Sequence, residues 1–308
     1  MKILTIGIPT YKRPKQIQRT VRALLPQLTD EVTLVVKDNC SPEPVETLFT
    51  EEEKKHFVII RNKVNIGGDA NIAGVLYDCE TKWCWTLGDD DVIADNAVEI
   101  VLTHIRSYPE VSFFKFDSPY AKKTHGMMEA ACLCKLRKVY TVYSKLLFMS
   151  TSIYNMDKMK DSLFYYYKYL STMNGQNIFL FKYLESHDNA ICLFTDEHIV
   201  GQDEDEIVNP WSYEDYVAPC PLVFQAFKEK RKVLNGTLFV GLTFGYFRNI
   251  LLQHFSFTKR WKLFWYVAIN YGLLNTFHYH SGLIVRCLLM AIIPKKMMNY
   301  LKTRIQNK

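Results

Sequence analysis

The sequence lacks the cysteine spacings that bind zinc or build a disulfide framework. None of its eight cysteines forms a CxxC pair. Isolated thiols of this kind are typical of reduced, mostly buried residues in a cytoplasmic protein. The N-terminal segment also lacks the apolar stretch of a signal peptide. We therefore expect a cytoplasmic chain that is not exported by that route.

Long apolar runs and C-terminal acidic residues are missing as well. No window reaches the roughly 18 uninterrupted apolar residues of a spanning helix. From Lys228 to Lys308 there are 14 lysines and arginines but one acidic residue, Glu229. Basic helices rich in aromatic residues typically lie on anionic membranes. We expect peripheral attachment to the inner face of the cell membrane; the alternative is a helical subdomain packed on the body. No nucleic-acid-binding module accompanies the charge, so we expect no nucleic acid partner.

What is present indicates a folded α/β protein. The chain has 308 residues, of which 48% are hydrophobic and 23% are charged. Strand and helix patterns alternate over the first 117 residues, which predicts an open, mostly parallel sheet flanked by helices. The predicted strands are Lys2–Pro9, Val32–Lys37, Phe57–Arg61, the segment from Trp83, and Val111–Phe116.

The alternation loosens after about residue 118. We predict a strand at Leu146–Tyr154, a helix pair over Phe164–Leu184 broken at Asn174-Gly175, and short strands at Ala190–Thr195 and His198–Gly201. The predicted organisation is one domain over residues 1–210, with a donor-binding half (1–117) and an acceptor-binding half (118–210). A helical, basic and aromatic extension follows over residues 211–308.

Three consecutive carboxylates, Asp89 to Asp91, follow the fourth predicted strand. If the segment stays extended, Asp89 and Asp91 point to one side and Asp90 to the other. Two converging carboxylates favour a divalent cation such as Mg²⁺ or Mn²⁺. The alternative is that these residues only cap the helix that starts near Ala94. An EF-hand is excluded because Ile93 stands where that loop needs an oxygen ligand.

Polar clusters also follow the other three parallel strands, and ligands of such sheets bind beyond the carboxyl ends of the strands. Four clusters at one edge predict a site for an elongated polar ligand with a metal. They are Thr10-Tyr11-Lys12-Arg13, Asp38-Asn39, Asn65 to Asn71, and Asp89 to Asp91.

With these clusters in order, the chain resembles the family 2 glycosyltransferases, which are inverting nucleotide-sugar enzymes of the GT-A fold. The motifs are Ile8–Pro14, Val35–Ser41, Asn65-Ile66-Gly67 with Asn71, and Leu87–Asp91. A segment like Phe148–Tyr154 and Asn at position 71 are also similar to a branch of bacterial surface-polysaccharide enzymes.

The resemblance implies roles for individual residues. Pro9, Thr10, Tyr11 and Arg13 would line the nucleotide pocket, Asp38 would read the base, and Asn65 would lie by the base or ribose. Asn71 stands where many members have Ala-Arg-Asn. Asp89 would lie towards the ribose and share the Mn²⁺ or Mg²⁺ with Asp91, and Asp90 would belong to the same donor cluster. Independently of the resemblance, the Gly67-Gly68 pair follows the third strand, where the backbone could approach a phosphate or sugar; the alternative is a plain turn.

Inversion requires a base for the acceptor hydroxyl. In the family this is an Asp or Glu ahead of a helix in the second half, but Asn174 to Asn177 contains no carboxylate. Asp188 is the candidate base, with His187, Asp203 and Glu204 as substitutes by type.

The implied function is metal-dependent transfer of a sugar, from a UDP-sugar by preference, to a glycan or lipid-linked glycan acceptor. One alternative is a nucleotide-sugar-binding protein without turnover. The other is a sugar nucleotidyltransferase, although such enzymes usually carry glycines where Pro9 to Pro14 has none.

Overall fold

The computed structural model describes residues 1–117, 128–130, 146, 148–172 and 174–201, with isolated positions beyond. The chain divides into two compact units. The first comprises Met1–Val139, Ser144–Leu170 and Asn174–Val208, and the second comprises Tyr140–Tyr143, Ser171–Met173 and Asn209–Lys308. The extension predicted for 211–308 lies outside the described residues, apart from those isolated positions. Among the residues described, no helix is long and apolar enough to cross a membrane.

Ten strands and seven α-helices lie in the described part of the chain. The strands are β1 (Leu4–Thr10), β2 (Val32–Asp38), β3 (Val58–Arg61), β4 (Trp83–Thr86), β5 (Val92–Ile93), β6 (Phe113–Asp117), β7 (Met128–Ala130), β8 (Ser152–Asn155), β9 (Cys192–His198) and β10 (Val200–Gly201). The helices are α1 (Pro14–Leu24), α2 (Glu51–Lys54), α3 (Gly68–Tyr77), α4 (Ala97–Ser107), α5 (Met156–Met159), α6 (Leu163–Lys168) and α7 (Gly175–Ser186).

The central sheet has the strand order β3-β2-β1-β4-β8-β6-β9-β7, and β5 pairs separately with β10. Strands β1 to β4 are parallel to one another. Strand β8 runs antiparallel between β4 and β6, while β9 is parallel to β6. The prediction of a mostly parallel α/β sheet is confirmed. The carboxyl ends of β1 to β4 therefore share one edge, called the carboxyl edge below.

Burial of alternate residues fixes the layers around this sheet. Leu4, Ile6 and Ile8 of β1 belong to a core cluster that includes the apolar faces of α1 and α4. On the other face, Gly7 of β1 lies against Val75 of α3. Every residue of β1 is buried, as expected of a parallel strand covered on both faces.

The second half differs from the sequence prediction in two places. The predicted strand Leu146–Tyr154 is wrong in its first part, because Met149–Thr151 forms a 3₁₀ turn ahead of β8. The turn is held by the Trp85 indole, whose Nε1 donates to the Ser150 carbonyl at 2.7 Å. The two strands predicted after Ala190 are confirmed as β9 and β10, but the break between them lies at Ile199, so β9 extends further than predicted. The helix pair is confirmed as α6 and α7.

Candidate active site

The carboxylates that follow β4 do not continue the strand. Residues 89 and 90 form a turn. Arg13 at the start of α1 bonds both: its Nη1 lies 3.0 Å from Asp89 Oδ1 and also contacts Asp90 Oδ2. The expected alternation of the three carboxylates is therefore wrong, because an alternating geometry would separate Asp89 from Asp90.

Hydroxyl groups of β1 and α1 complete the environment of Asp89. Thr10 Oγ1 donates to Asp89 Oδ2 at 2.6 Å. Thr20 Oγ1 donates to the Asp89 carbonyl at 2.9 Å, which fixes the backbone of the turn. The first and fourth motifs are thus joined by side-chain contacts, as the sequence predicted for residues at one edge of the sheet.

Asp91 is held from the second half of the sheet. The Ser150 hydroxyl, in the 3₁₀ turn before β8, donates to Asp91 Oδ2 and accepts from the Gly88 amide at 2.9 Å. A Cβ at Gly88 would lie 2.4 Å from Asp91 Oδ2, so only glycine leaves room for this carboxylate. Ser150 lies in the segment Phe148–Tyr154, but no role was predicted for this serine.

Burial raises the pKa of Asp89 and of Asp91 to about 6. Arg13 opposes the rise at Asp89, and the Ser150 hydrogen bond opposes it at Asp91. Asp89 is buried, Asp91 is partly exposed, and each raises the cost of charging the other. A divalent cation would offset this repulsion. Among the described residues, no three His, Cys, Asp or Glu side chains converge. Asp89 and Asp91 therefore fit Mg²⁺ or Mn²⁺ if phosphate oxygens and water supply the other ligands.

Asp38 at the end of β2 is fully buried. Its Oδ1 accepts the Ser41 amide at 2.9 Å, and its Oδ2 bonds Arg61 at the end of β3. Arg61 Nη2 also donates to the Ser41 carbonyl at 2.7 Å. Asp38 therefore holds Arg61 and the loop after β2. The Asp38 carboxylate is not exposed, whereas the Arg61 guanidinium is partly exposed to solvent.

Four asparagines connect the second and third motifs. Asn39 Nδ2 donates to Asn65 Oδ1 at 2.8 Å, and Asn62 Nδ2 donates to both Asn39 Oδ1 and Asn71 Oδ1. Asn71 is buried and donates to the Lys37 carbonyl at 3.0 Å. Its amide therefore fixes the loop, and its side chain does not line an open surface. Asn39 belongs to the predicted cluster Asp38-Asn39, whereas Asn62, between β3 and the third motif, was not predicted to contribute.

The remaining predicted pocket residues lie on the loops around this network. Pro9 is a buried residue of β1, while Asn65 and Gly67 are exposed. A hydrogen bond with Asn65 lowers the pKa of the Tyr11 phenol. The β1–α1 and β2–α2 loops line a pocket with a volume of about 200 Å³. Its lining includes Thr10, Lys12, Arg13, Ser41 and Glu43.

Two residues of these loops have left-handed backbones that are uncommon outside glycine. They are Lys12, with φ 57°, and Cys40, with φ 63°. The Lys12 amide donates to Ser41 Oγ at 3.0 Å, which ties the two loops together. Strained backbone of this kind is concentrated at functional sites, which agrees with a ligand-binding role for this edge.

Asp188 does not join this cluster. It is exposed in the turn between α7 and β9. Strand β9 runs in the same direction as β4, so the residues that precede it lie at the opposite edge of the sheet. Asp188 was predicted as the base only because it comes shortly after the predicted helix in the sequence. The sheet topology separates it from Asp89 and Asp91. Of the three substitutes, His187 adjoins Asp188 at the same edge, while Asp203 and Glu204 lie outside the described residues and stay predictions.

A model of the family described as glycosyl transferase family 2 matches residues 5–160. The chain belongs to this family. The abequosyltransferase RfbV of Salmonella typhimurium is 25% identical to this glycosyltransferase over 114 residues, which are 35% of this chain and 34% of the relative. The chain thus spans about a third of the length of that curated relative.

Solved structures show that the fold of this glycosyltransferase is GT-A. The S. aureus TarS 1–349 structure in complex with UDP has a TM-score of 0.66 at 14% identity, covering 100% of this chain and 92% of TarS. Glucosyl-3-phosphoglycerate synthase from Mycobacterium tuberculosis, in complex with Mn²⁺, UDP and glucosyl-3-phosphoglycerate, has a TM-score of 0.50 at 9% identity. That match covers 75% of this chain and 80% of the synthase.

Proposed function

We propose that this glycosyltransferase transfers a sugar from a UDP-sugar, with inversion, to a hydroxyl of a lipid-linked oligosaccharide or polysaccharide. The observation that carries the proposal is the paired environment of Asp89 and Asp91 at the carboxyl edge, with Arg13 and Thr10 beside them. The UDP bound by TarS supports the nucleotide of the donor, and the name of the abequosyltransferase RfbV supports transfer of a sugar.

Asp91 and Asp89 would hold Mn²⁺ or Mg²⁺ between them and the donor diphosphate. When bound, the cation stabilises the negative charge that grows on the leaving diphosphate. Arg13 contacts both Asp89 and Asp90, and its single positive charge reduces the negative charge that a diphosphate would meet at this edge. Ser150 fixes the orientation of Asp91 through its hydroxyl.

Nucleotide recognition is proposed for the loops after β1, β2 and β3. Tyr11 and Asn65, which share a hydrogen bond, would contact the base or ribose. Asp38 would act through Arg61, whose guanidinium would donate hydrogen bonds to carbonyl oxygens of a pyrimidine. Loss of Arg61 would therefore weaken nucleotide binding as strongly as loss of Asp38.

The decisive experiment is thermal stabilisation by UDP, GDP, dTDP and CDP, each with and without Mn²⁺. A ligand that binds the folded state raises its stability by mass action. We expect a UDP shift that requires Mn²⁺ and is lost in Asp91→Asn, with the exposed Asp188→Asn as the matched control. No shift with any nucleotide would remove the proposal, and a shift without sugar transfer to any glycan extract would favour a binding protein.

Membrane attachment through residues 211–308 is a separate proposal, and it rests on the charge of that section alone. The full chain should sediment with vesicles of anionic phospholipid and remain in the supernatant with neutral vesicles at the same salt concentration. Equal sedimentation with both would contradict an electrostatic contact.

A further inference from the structure

One buried carboxylate plays no part in the donor site. Asp69 lies in the first turn of α3 and is 7% exposed. Its Oδ1 accepts a hydrogen bond from the Tyr166 hydroxyl of α6 at 3.2 Å. Among the described residues its Oδ2 has no hydrogen-bond partner. A buried carboxylate oxygen without a partner is costly, which indicates that something absent from the structure completes it.

Asp69 belongs to the carboxyl edge, where α3 begins after β3. Helix α7 leads into β9 at the opposite edge, so its first residue, Gly175, also lies on the carboxyl side. A backbone hydrogen bond from Gly175 reaches the Asp69 carboxyl. The first turn of α7 has no acidic residue of its own. The carboxylate at the start of this helix is therefore supplied by α3.

Close packing holds the arrangement together. A Cβ at Gly175 would lie 2.1 Å from Cε1 of Tyr166, so glycine is needed for the ring to pass beside α7. Asn177, in the same turn, also has a buried amide nitrogen without a hydrogen-bond partner among the described residues.

Within the described part of the chain, no cationic side chain acts on the Asp69 carboxyl. The group facing it from α6 is the Tyr166 phenol, and α7 contributes the Gly175 backbone. Burial raises the pKa of Tyr166, and the neighbouring Tyr154 and Tyr167 raise it further. Lys37 of β2 packs towards the far end of α3, where it bonds Asp78. Burial raises the pKa of Asp69 to about 7, against the hydrogen bonds of Tyr166 and Gly175, which lower it.

We propose that Asp69 is the catalytic base of this glycosyltransferase, an inference that rests on the proposed function. The acceptor hydroxyl donates its proton to Asp69 Oδ2 while its oxygen forms the bond to the anomeric carbon. The bond between that carbon and the diphosphate oxygen breaks, and its electron pair leaves with the nucleoside diphosphate. The proton passes from Asp69 to water after the product departs.

The test compares Asp69→Asn with the wild type in transfer of labelled sugar from the stabilising nucleotide sugar to an extract of bacterial lipid-linked oligosaccharides. Asparagine keeps an oxygen for the Tyr166 hydroxyl but cannot take a proton. We expect kcat to fall about 100-fold or more, the range of a lost general base. Stabilisation by UDP with Mn²⁺ should be unchanged, and the exposed Asp188→Asn should retain full activity. A kcat within about threefold of the wild type would overturn the proposal.

A second variant separates a base from a structural residue. Tyr166→Phe removes a hydrogen bond that lowers the pKa of Asp69, so the rising limb of kcat against pH should move to higher pH. An unchanged pH profile in a folded Tyr166→Phe protein would also overturn the proposal. If the wild type binds no nucleotide, the proposed function itself has failed; if it binds and transfers while Asp69→Asn is fully active, only the base assignment has failed.

Discussion

The carboxylates that follow β4 and the carboxylate at the start of α3 have different hydrogen-bond partners. Asp89 is bonded by the Arg13 guanidinium and the Thr10 hydroxyl, and Asp91 by the Ser150 hydroxyl. Asp69 has the Tyr166 hydroxyl and the Gly175 backbone, and among the described residues no cation acts on it. Burial raises the pKa of all three carboxyl groups, but a guanidinium opposes this only at Asp89, whereas hydrogen bonds alone oppose it at Asp91 and Asp69.

The comparison also separates the two halves of the sheet. The donor loops after β1 to β3 carry their own polar network, in which asparagine amides and backbone groups bond one another. The second half contributes isolated groups to the first: Ser150 reaches Asp91, and Tyr166 reaches Asp69. Changes in the second half should therefore alter specific functions of the first without unfolding its loops.

The largest expected effect is a pH dependence of stability due to Asp69. Its pKa in the folded protein, about 7, is above its ordinary value of 3.8. The folded state thus binds the proton more tightly, and the stability gained at low pH is lost as pH rises towards 7. Between pH 5 and pH 8 the wild type should lose about 3 kcal/mol relative to Asp69→Asn. Urea unfolding of both proteins across this range measures the difference, and a difference independent of pH would contradict the assigned environment.

The next effect concerns the contact between the two halves at Ser150. Ser150→Ala removes the donor to Asp91 and leaves the Gly88 amide without its acceptor. Loss of a residue that orients a metal ligand typically costs about 10- to 100-fold in metal affinity. We expect this loss in a Mn²⁺ titration at fixed UDP, with the partly exposed Ser186→Ala as the matched control. Unchanged Mn²⁺ affinity would show that Asp91 does not need this hydroxyl.

Gly175→Ala tests the packing at the start of α7. Because the new methyl would collide with the Tyr166 ring, we expect about 1–3 kcal/mol of destabilisation from overpacking. Gly68→Ala is the matched control, since nothing lies within 4 Å of its added Cβ. Chemical unfolding of both variants decides the matter: equal stabilities would show that the ring moves aside at little cost.

The carboxyl edge could be predicted from the sequence because each parallel strand ends in a polar cluster, and parallel strands end at one edge. The alternation of Asp89 to Asp91 could not, since it assumed an extended segment where Arg13 and Thr20 fix a turn. Asp69 and Tyr166 are 97 residues apart, and no local pattern connects them. Asp188 shows the converse error, because nearness in sequence to α7 says nothing about the edge of the sheet on which a residue lies.

The smallest expected effect lies away from both carboxylate environments, at the capping box of α2. Thr50 Oγ1 accepts from the Glu53 amide at 3.2 Å, and Glu53 Oε2 accepts from the Thr50 amide at 2.8 Å. Thr50→Ala removes one half of this exchange and should destabilise the fold by about 1 kcal/mol, whereas Thr50→Ser keeps the hydroxyl and should not. Stabilisation by UDP with Mn²⁺ should be the same in both variants. A weaker nucleotide response in Thr50→Ala would mean that the donor loops depend on general stability, and the contrast drawn from Ser150 would lose its specificity.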